Sequence, residues 1–371
     1  MKKATVRSPK SEVVVSSIQF LIGKPLGKYE ILEHLGHGGM AEVYKGRQRQ
    51  LKRMVAIKIL HPFLADEVGF VARFRREAHI VATMRHPNIV QVYDFDYDEA
   101  LDVYYMVMEY IEGPTLKDKL EKGPLTIPET IEIGASIAEA LDYAHDQSMV
   151  HRDIKPANIM FLPSGSPVLT DFGIARMPIL SGLTASGAMV GTPAYMAPEI
   201  AMGKPAAPAS DLYSLSVVFY QAVTGQLPFA AETPMGMVMQ HINQAPIPPS
   251  RHVSAIPPGL EELILQGLAE QPSKRFENAA EMAARLRVLQ KGTYPGPRAL
   301  STVVSDPVDS IWQRSHQLAG RDPLPSRGPL SLRWGEIQEA LSLVGVATSR
   351  SLSLVLEQRT IMEREIRMRV R

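Results

Sequence analysis

The sequence predicts an α+β chain of two unequal parts, a small β-rich one and a larger, mainly helical one, followed by an irregular C-terminal tail. Three observations carry that expectation. Early in the chain, VAIKIL at 55–60 is rich in β-branched residues and suits a strand with alternating faces. Later, Ile133, Ile137, Leu141 and Ala144 recur at i, i+4, i+8 and i+11, the period of an amphipathic helix. Beyond Leu289, Pro295, Pro297, Pro307, Pro323, Pro325 and Pro329 with scattered Ser and Gly interrupt any regular pattern and read as a linker.

The elements of the small part follow in order. In LGHGGMAEVY at 35–44, Gly36, Gly38 and Gly39 lie between Leu35 and Val43, with His37 among them. That suits a hairpin whose backbone must approach a ligand closely. In the strand at 55–60, Ala56 and Lys58 point one way and Val55, Ile57 and Ile59 the other. A buried lysine without a partner would be costly, so its face needs an anionic companion. FRREAHIVATM is helical, with Glu77, Val81 and Met84 on one face and Arg75 and Arg76 exposed. YYMVMEYIEG is an apolar strand closed by a glycine turn.

In the larger part, the helix through Ile133–Ala144 delivers the chain to His151, and PVLT forms a short strand. DLYSLSVVFYQAVTG is apolar nearly all round and closes at Gly225, so it belongs in a core; its leading Asp211 has the chemistry of an N-cap.

Residues 151–173, HRDIKPANIMFLPSGSPVLTDFG, concentrate the reactive groups. Phosphoryl transfer from Mg-ATP needs a carboxylate for the incoming hydroxyl, a cation near the moving phosphate and oxygen ligands for magnesium. Asp153, Lys155, Asn158 and Asp171 supply that set. Taken alone, HRD or DFG is a chance triplet, and His151 or Phe172 would be ordinary core residues.

Together with VAIK at 55–58, FRREA at 74–78 and APE at 197–199, these stretches resemble the eukaryotic-like protein kinases in their bacterial serine/threonine form. The resemblance covers about residues 29–290. It implies the bilobal protein kinase fold, with an N-lobe at about 29–108 and a C-lobe at about 112–290, and ATP and Mg2+, or Mn2+ in its place, as cofactors. By resemblance, Asp153 is the base, Lys155 neutralises the γ-phosphoryl, and Asn158 and Asp171 hold the metal. Glu77 holds Lys58 toward the α/β-phosphates. Leu35, Gly36, His37, Gly38, Gly39, Val43 and Ala56 cover the nucleotide from above, although Ala41 departs from the family by occupying the third glycine position. Met108 guards the rear of the pocket, Glu109 and Ile111 meet the adenine edge through their backbone, and Met160 forms the floor. Asp211 anchors the catalytic-loop backbone, and Glu199 with Arg275 forms a structural ion pair.

Lysine two positions beyond the catalytic aspartate, and GTPAYMAPE with Thr192 facing the acceptor, resemble the serine/threonine class. Arg152 and Arg176 are expected to sense a phosphate on the intervening loop, at Thr184 first and Ser186 second. Such autophosphorylation in trans implies a transient homodimer. The alternatives are a pseudokinase scaffold, which loss of Lys58, Asp153, Asn158 or Asp171 would mark, and a small-molecule phosphotransferase, which would lack GTPAYMAPE and Arg275.

Composition sets the remaining bounds. Forty basic against 39 acidic side chains give a net charge of +1, so no bulk field argues for nucleic acid. The absence of cysteine excludes disulfides and thiolate chemistry. No apolar run reaches the roughly 18–20 residues of a spanning helix, and the expected location is cytoplasmic. Residues 1–28 form an N-terminal extension whose Val13–Ile22 patch is too interrupted for a secretory signal. After the 291–330 linker, the 331–371 tail is helical and basic in its pattern, ending in EREIRMRVR, with peripheral membrane contact as a minor alternative. Proteins bearing Ser or Thr acceptors are the expected partners.

Overall fold

The computed structural model describes residues 21–38, 41–65, 69–173 and 193–292. The first lobe is an antiparallel six-stranded sheet in the order β1-β2-β3-β4-β6-β5. Its strands are β1 (Pro25–Leu26), β2 (Tyr29–His37), β3 (Ala41–Gln48), β4 (Arg53–Leu60), β5 (Val92–Asp98) and β6 (Val103–Glu109). Alternation along β4 sorts its side chains as the sequence predicts. Val55, Ile57 and Ile59 join Tyr29, Ile31, Tyr44, Tyr105 and Val107 in a buried cluster on one face. Ala56 faces the other way, into the main core. Lys58 stands opposite Val43 on β3 and Met106 on β6.

After a single turn, α1 (Pro62–Ala65), the helix α2 (Phe70–Thr83) lies against β5. Its apolar stripe, Phe70, Phe74, Ala78 and Val81, is buried, and Phe74 meets Phe95 of β5 at 5.1 Å between ring centroids. This packing aims Glu77, which shares the turn, at the interior of the molecule.

The second lobe contains α3 (Leu116–Leu120), α4 (Ile127–Asp146), the hairpin β7 (Ile159–Phe161) and β8 (Pro167–Leu169), α5 (Pro198–Ala201), α6 (Pro208–Thr224), α7 (Pro234–Asn243), α8 (Pro258–Gly267) and α9 (Ala279–Gln290). Thr115 and Thr126 begin α3 and α4 with capping boxes closed by Asp118 and Glu129. α6 is buried on all sides, from Leu212 to Val223, and ends at Gly225 in the left-handed conformation, φ 73°. α4 approaches it closely at Gly134, where an added Cβ would lie 2.5 Å from the Phe219 ring. Asp211 sits in the first turn of α6 and the N-cap is Ala207, so the capping role expected of Asp211 is not the one it plays. Its carboxylate is free for the loop described next.

No described helix is long and apolar enough to cross a membrane. The 1–20 extension, the 293–371 tail with its expected helix, Gly39, Arg176, Thr184, Ser186 and Thr192 lie outside the described residues.

Candidate active site

The loop at 151–158 is built on the Asp211 carboxylate, which is almost fully buried. Its two oxygens accept the backbone N–H groups of His151 at 2.7 Å and Arg152 at 2.8 Å, and His145 Nε2 lies 2.9 Å away. Paired and hydrogen-bonded in this way, the charge is tolerated in the core. The anchoring holds Arg152 at φ 68°, a left-handed conformation unusual for a residue with a side chain. His151 is fully buried; its Nε2–H donates to the Thr170 carbonyl at 2.9 Å and its Nδ1 accepts the Asp153 N–H at 3.2 Å. Burial pushes its pKa down, so the ring is neutral and one tautomer satisfies both contacts.

Asp153 is thereby presented at the mouth of the site with 17% of its side chain exposed. Asn158 Nδ2 donates to the Asp153 carbonyl at 2.8 Å and to Oδ2 at 3.1 Å, and Lys155 Nζ lies 2.9 Å from the same Oδ2. One carboxylate, one ammonium and one amide are thus locked together within five residues of chain.

Asp171, at φ 57° just after β8, faces Lys58 of β4 with Oδ1 2.9 Å from Nζ. Burial raises the Asp171 pKa, but the attraction and hydrogen bond of Lys58 outweigh it, with help from His151 and Lys155, and the group is held below the usual carboxylate range. It is therefore ionised at neutral pH while 36% of its side chain still meets solvent.

The pairing expected between Lys58 and Glu77 is not made. Glu77 Oε1 is 2.9 Å from the Arg152 guanidinium, and Lys58 is taken by Asp171. The two arrangements have equal charge, and local geometry selects between them. The left-handed twist at Arg152 turns its fork toward α2, whose buried stripe aims Glu77 at the loop. Arg152, expected to sense a phosphate, is engaged with Glu77.

The remaining expected residues surround this constellation. Gly38 N–H donates to the Ala41 carbonyl at 2.8 Å and closes the β2–β3 turn, with Gly36 opposite Val43 and His37 opposite Glu42. Leu35 is exposed, whereas Ala56, Met108 and Ile111 are buried. The Glu109 N–H is taken by the Gln91 carbonyl at 2.8 Å, so this amide is already engaged at the edge expected to meet the adenine. Met160 on β7 pairs with Val168 and packs at the edge of the core. A cavity of about 20 Å³ behind Lys58 is lined by Phe74, Met106, Met108, Asp171 and Phe172.

At a distance from these groups, Arg275 grips Glu199 with two 2.8 Å hydrogen bonds, both side chains being buried. Three groups went unrecognised from sequence: His145, the Thr170 carbonyl, and the Tyr213–His241 contact at 2.7 Å. Only His145 carried a signal, since it falls in the last turn of α4, on the periodic face through Leu141.

The sequence matches the model of the protein kinase domain over residues 29–285. It is 41% identical over 343 residues to serine/threonine-protein kinase PknB of Mycolicibacterium smegmatis, covering 88% of this chain and 55% of that one. It is 40% identical over 306 residues to PknB of Mycobacterium tuberculosis, covering 80% and 49%. The chain thus spans about half the length of these curated relatives. Among solved structures, the PknI kinase domain of M. tuberculosis superimposes with a TM-score of 0.58 at 27% identity, covering 73% of this chain and 98% of that one.

Proposed function

The chain belongs to the protein kinase family, and from that membership we propose that it transfers the γ-phosphate of ATP to serine or threonine hydroxyls of proteins. The observation that carries this reading is the locked Asp153–Lys155–Asn158 group beside an ionised Asp171. Asp153 accepts the hydroxyl proton as the acceptor oxygen attacks, and Lys155, held 2.9 Å away, balances charge building on the transferred group. Lys58 binds the phosphates and the sheet above excludes water from them.

The residues present fit a hard divalent cation of the Mg2+ or Mn2+ kind. Asp171 offers a carboxylate, and Asn158 its amide oxygen, the amide nitrogen being used on Asp153. Among the described residues no cluster of three or more His, Cys, Asp or Glu could hold a metal, so two oxygens are too few for a full shell. Asp171 and Asn158 would hold such a cation beside the phosphates. When bound, it neutralises phosphate charge.

The regulatory part of the reading is autophosphorylation at Thr184 or Ser186 within a transient homodimer. A phosphate there offers Arg152 a stronger partner than Glu77 and releases Glu77 for Lys58. The same reading places this ATP-dependent domain in the cytoplasm, where ATP is supplied.

The test incubates the protein with Mg-ATP and a generic protein substrate beside Asp153→Asn. Transfer to Ser and Thr by the parent, with turnover lower by about 10²–10⁴-fold in the variant and nucleotide binding retained, is the expected result. Binding without transfer in the parent would refute the activity.

A further inference from the structure

The segment just after Thr192 rests on a polar and aromatic bracket to which nothing so far assigns a task. Residues Pro193–Tyr195 form one 3-10 turn packed on α6 and α7. Two contacts from α6 hold its end: Ser214 Oγ donates to the Tyr195 carbonyl at 2.7 Å, and Tyr195 OH donates to Gln221 Oε1 at 2.6 Å. Its middle residue, Ala194, packs with Phe229 and Met237.

Below Ala194 lies His241 of α7, 3% exposed. Its Nδ1 is 2.7 Å from Tyr213 OH, and its ring meets Phe229 edge-on at 4.7 Å between centroids. Its Nε2 is buried with only the Ala194 backbone beside it and no hydrogen bond of good geometry. Burial pushes the imidazole down to about 4, and the neighbouring Ala194 backbone only partly offsets this. Tyr213 is itself fixed from beneath by the Arg275 guanidinium, 4.8 Å from its ring centre. A neutral histidine and a phenol buried together are expensive to desolvate, and an apolar pair would fill the same space at less cost. What the polar pair adds is a directional link between two helices beneath one turn.

We propose that Tyr213 and His241 are positioning residues that hold the 193–197 segment in register, and that they set affinity for the protein acceptor and not for ATP. The inference rests on the kinase reading only in naming the acceptor. The positioning itself is structural. No atom of the pair belongs to the Lys58–Asp171 group. A displaced turn would shift the surface that an acceptor backbone meets while leaving Asp153 on its own anchor, Asp211. Misplacement of about 1 Å is enough to cost a large factor in productive binding.

His241→Leu, His241→Asn and Tyr213→Phe test this. Asparagine carries an oxygen at the place of Nδ1 and keeps an acceptor for the Tyr213 hydroxyl; leucine does not. His241→Leu and Tyr213→Phe should raise KM for a protein acceptor about tenfold, leave KM for ATP within about twofold, and show no further loss when combined. His241→Asn should recover most of the affinity. Independently of turnover, amide exchange at Met196, whose N–H is bonded to the Pro193 carbonyl at 3.1 Å, should accelerate in His241→Leu and not in His241→Asn. Equal rises in both KM values, an Asn variant as impaired as Leu, or unchanged Met196 exchange would overturn the proposal. If the parent transfers no phosphate to any protein, the activity reading fails, and the exchange measurement still decides whether the bracket holds the turn.

Discussion

Replacing Arg275 by methionine removes a buried, heavily bonded side chain of the second lobe while keeping most of its volume. The guanidinium donates to both oxygens of Glu199 and to the carbonyls of Ala209, Ala269 and Glu270, all at 2.8–3.0 Å. None of the Arg275 side chain and 6% of that of Glu199 meets solvent. After the substitution, Glu199 loses the guanidinium and keeps the Ser210 Oγ donor at 2.7 Å. Breaking a buried pair from one side costs about 3–5 kcal/mol, because the stranded carboxylate must be hydrated or protonated. That is about a fifth or more of the total stability of an ordinary domain, about 5–15 kcal/mol. Urea unfolding followed by far-ultraviolet circular dichroism measures it; tryptophan emission does not, since Trp312 and Trp334 both lie in the tail. Burial raises the Glu199 pKa, but its hydrogen bonds from Arg275 and Ser210 leave it depressed overall. The parent's advantage is therefore present above about pH 4.5 and lost as pH falls through the lower folded value. In Arg275→Met the unpartnered carboxyl protonates readily, so the gap between parent and variant should close on acidification. Adding Glu199→Gln to Arg275→Met should restore more than about 1 kcal/mol. A single variant within about 1 kcal/mol of the parent, or a gap independent of pH, refutes the reasoning.

Other expectations are local. Thr126→Ala opens the capping box of α4 and should cost about 1 kcal/mol, read as a lower thermal midpoint with unchanged ATP affinity. Gly134→Ala drives a methyl group into the Phe219 ring and should destabilise by about 1–3 kcal/mol, whereas helix propensity alone would make it slightly stabilising; the sign of the change decides which effect governs. His241 has its folded pKa depressed to about 4, so the unfolded chain takes up a proton that the folded one refuses between about pH 6.5 and 4. Stability should fall as pH drops through that window, less steeply in His241→Asn; His151, also depressed, keeps part of the slope in both proteins.

How far the sequence revealed this site depends on the range of each interaction. The two faces of β4 were legible because alternation is a property of the strand itself, and Lys58 emerges on the predicted side. The close of α6 at Gly225 was legible for the same reason, since a left-handed C-terminal residue is a local requirement. The partner of Glu77 was not. Lys58 and Arg152 lie on different elements, and which of them Glu77 meets is fixed by the orientation of α2 and the backbone twist at Arg152. The His145–Asp211 contact joins residues 66 apart, so the helix period that places His145 says nothing of its partner. Thr115–Asp118 and Thr126–Glu129 are capping signatures of local spacing, each pairing a threonine with an acidic residue three positions on.

Four of the five residues 210–214, near the start of α6, reach four different destinations. Ser210 goes to Glu199, Asp211 to the His151–Arg152 amides, Tyr213 to His241, and Ser214 to the Tyr195 carbonyl. The helix therefore works as a surveyor's datum, from which the loop carrying Asp153 and the turn at 193–195 are both measured. Errors in its own position cancel between the two, since both move with it, whereas errors in α7 do not. For anyone redesigning substrate preference, α7 is the element to vary, and the 210–214 stretch is the one to leave untouched.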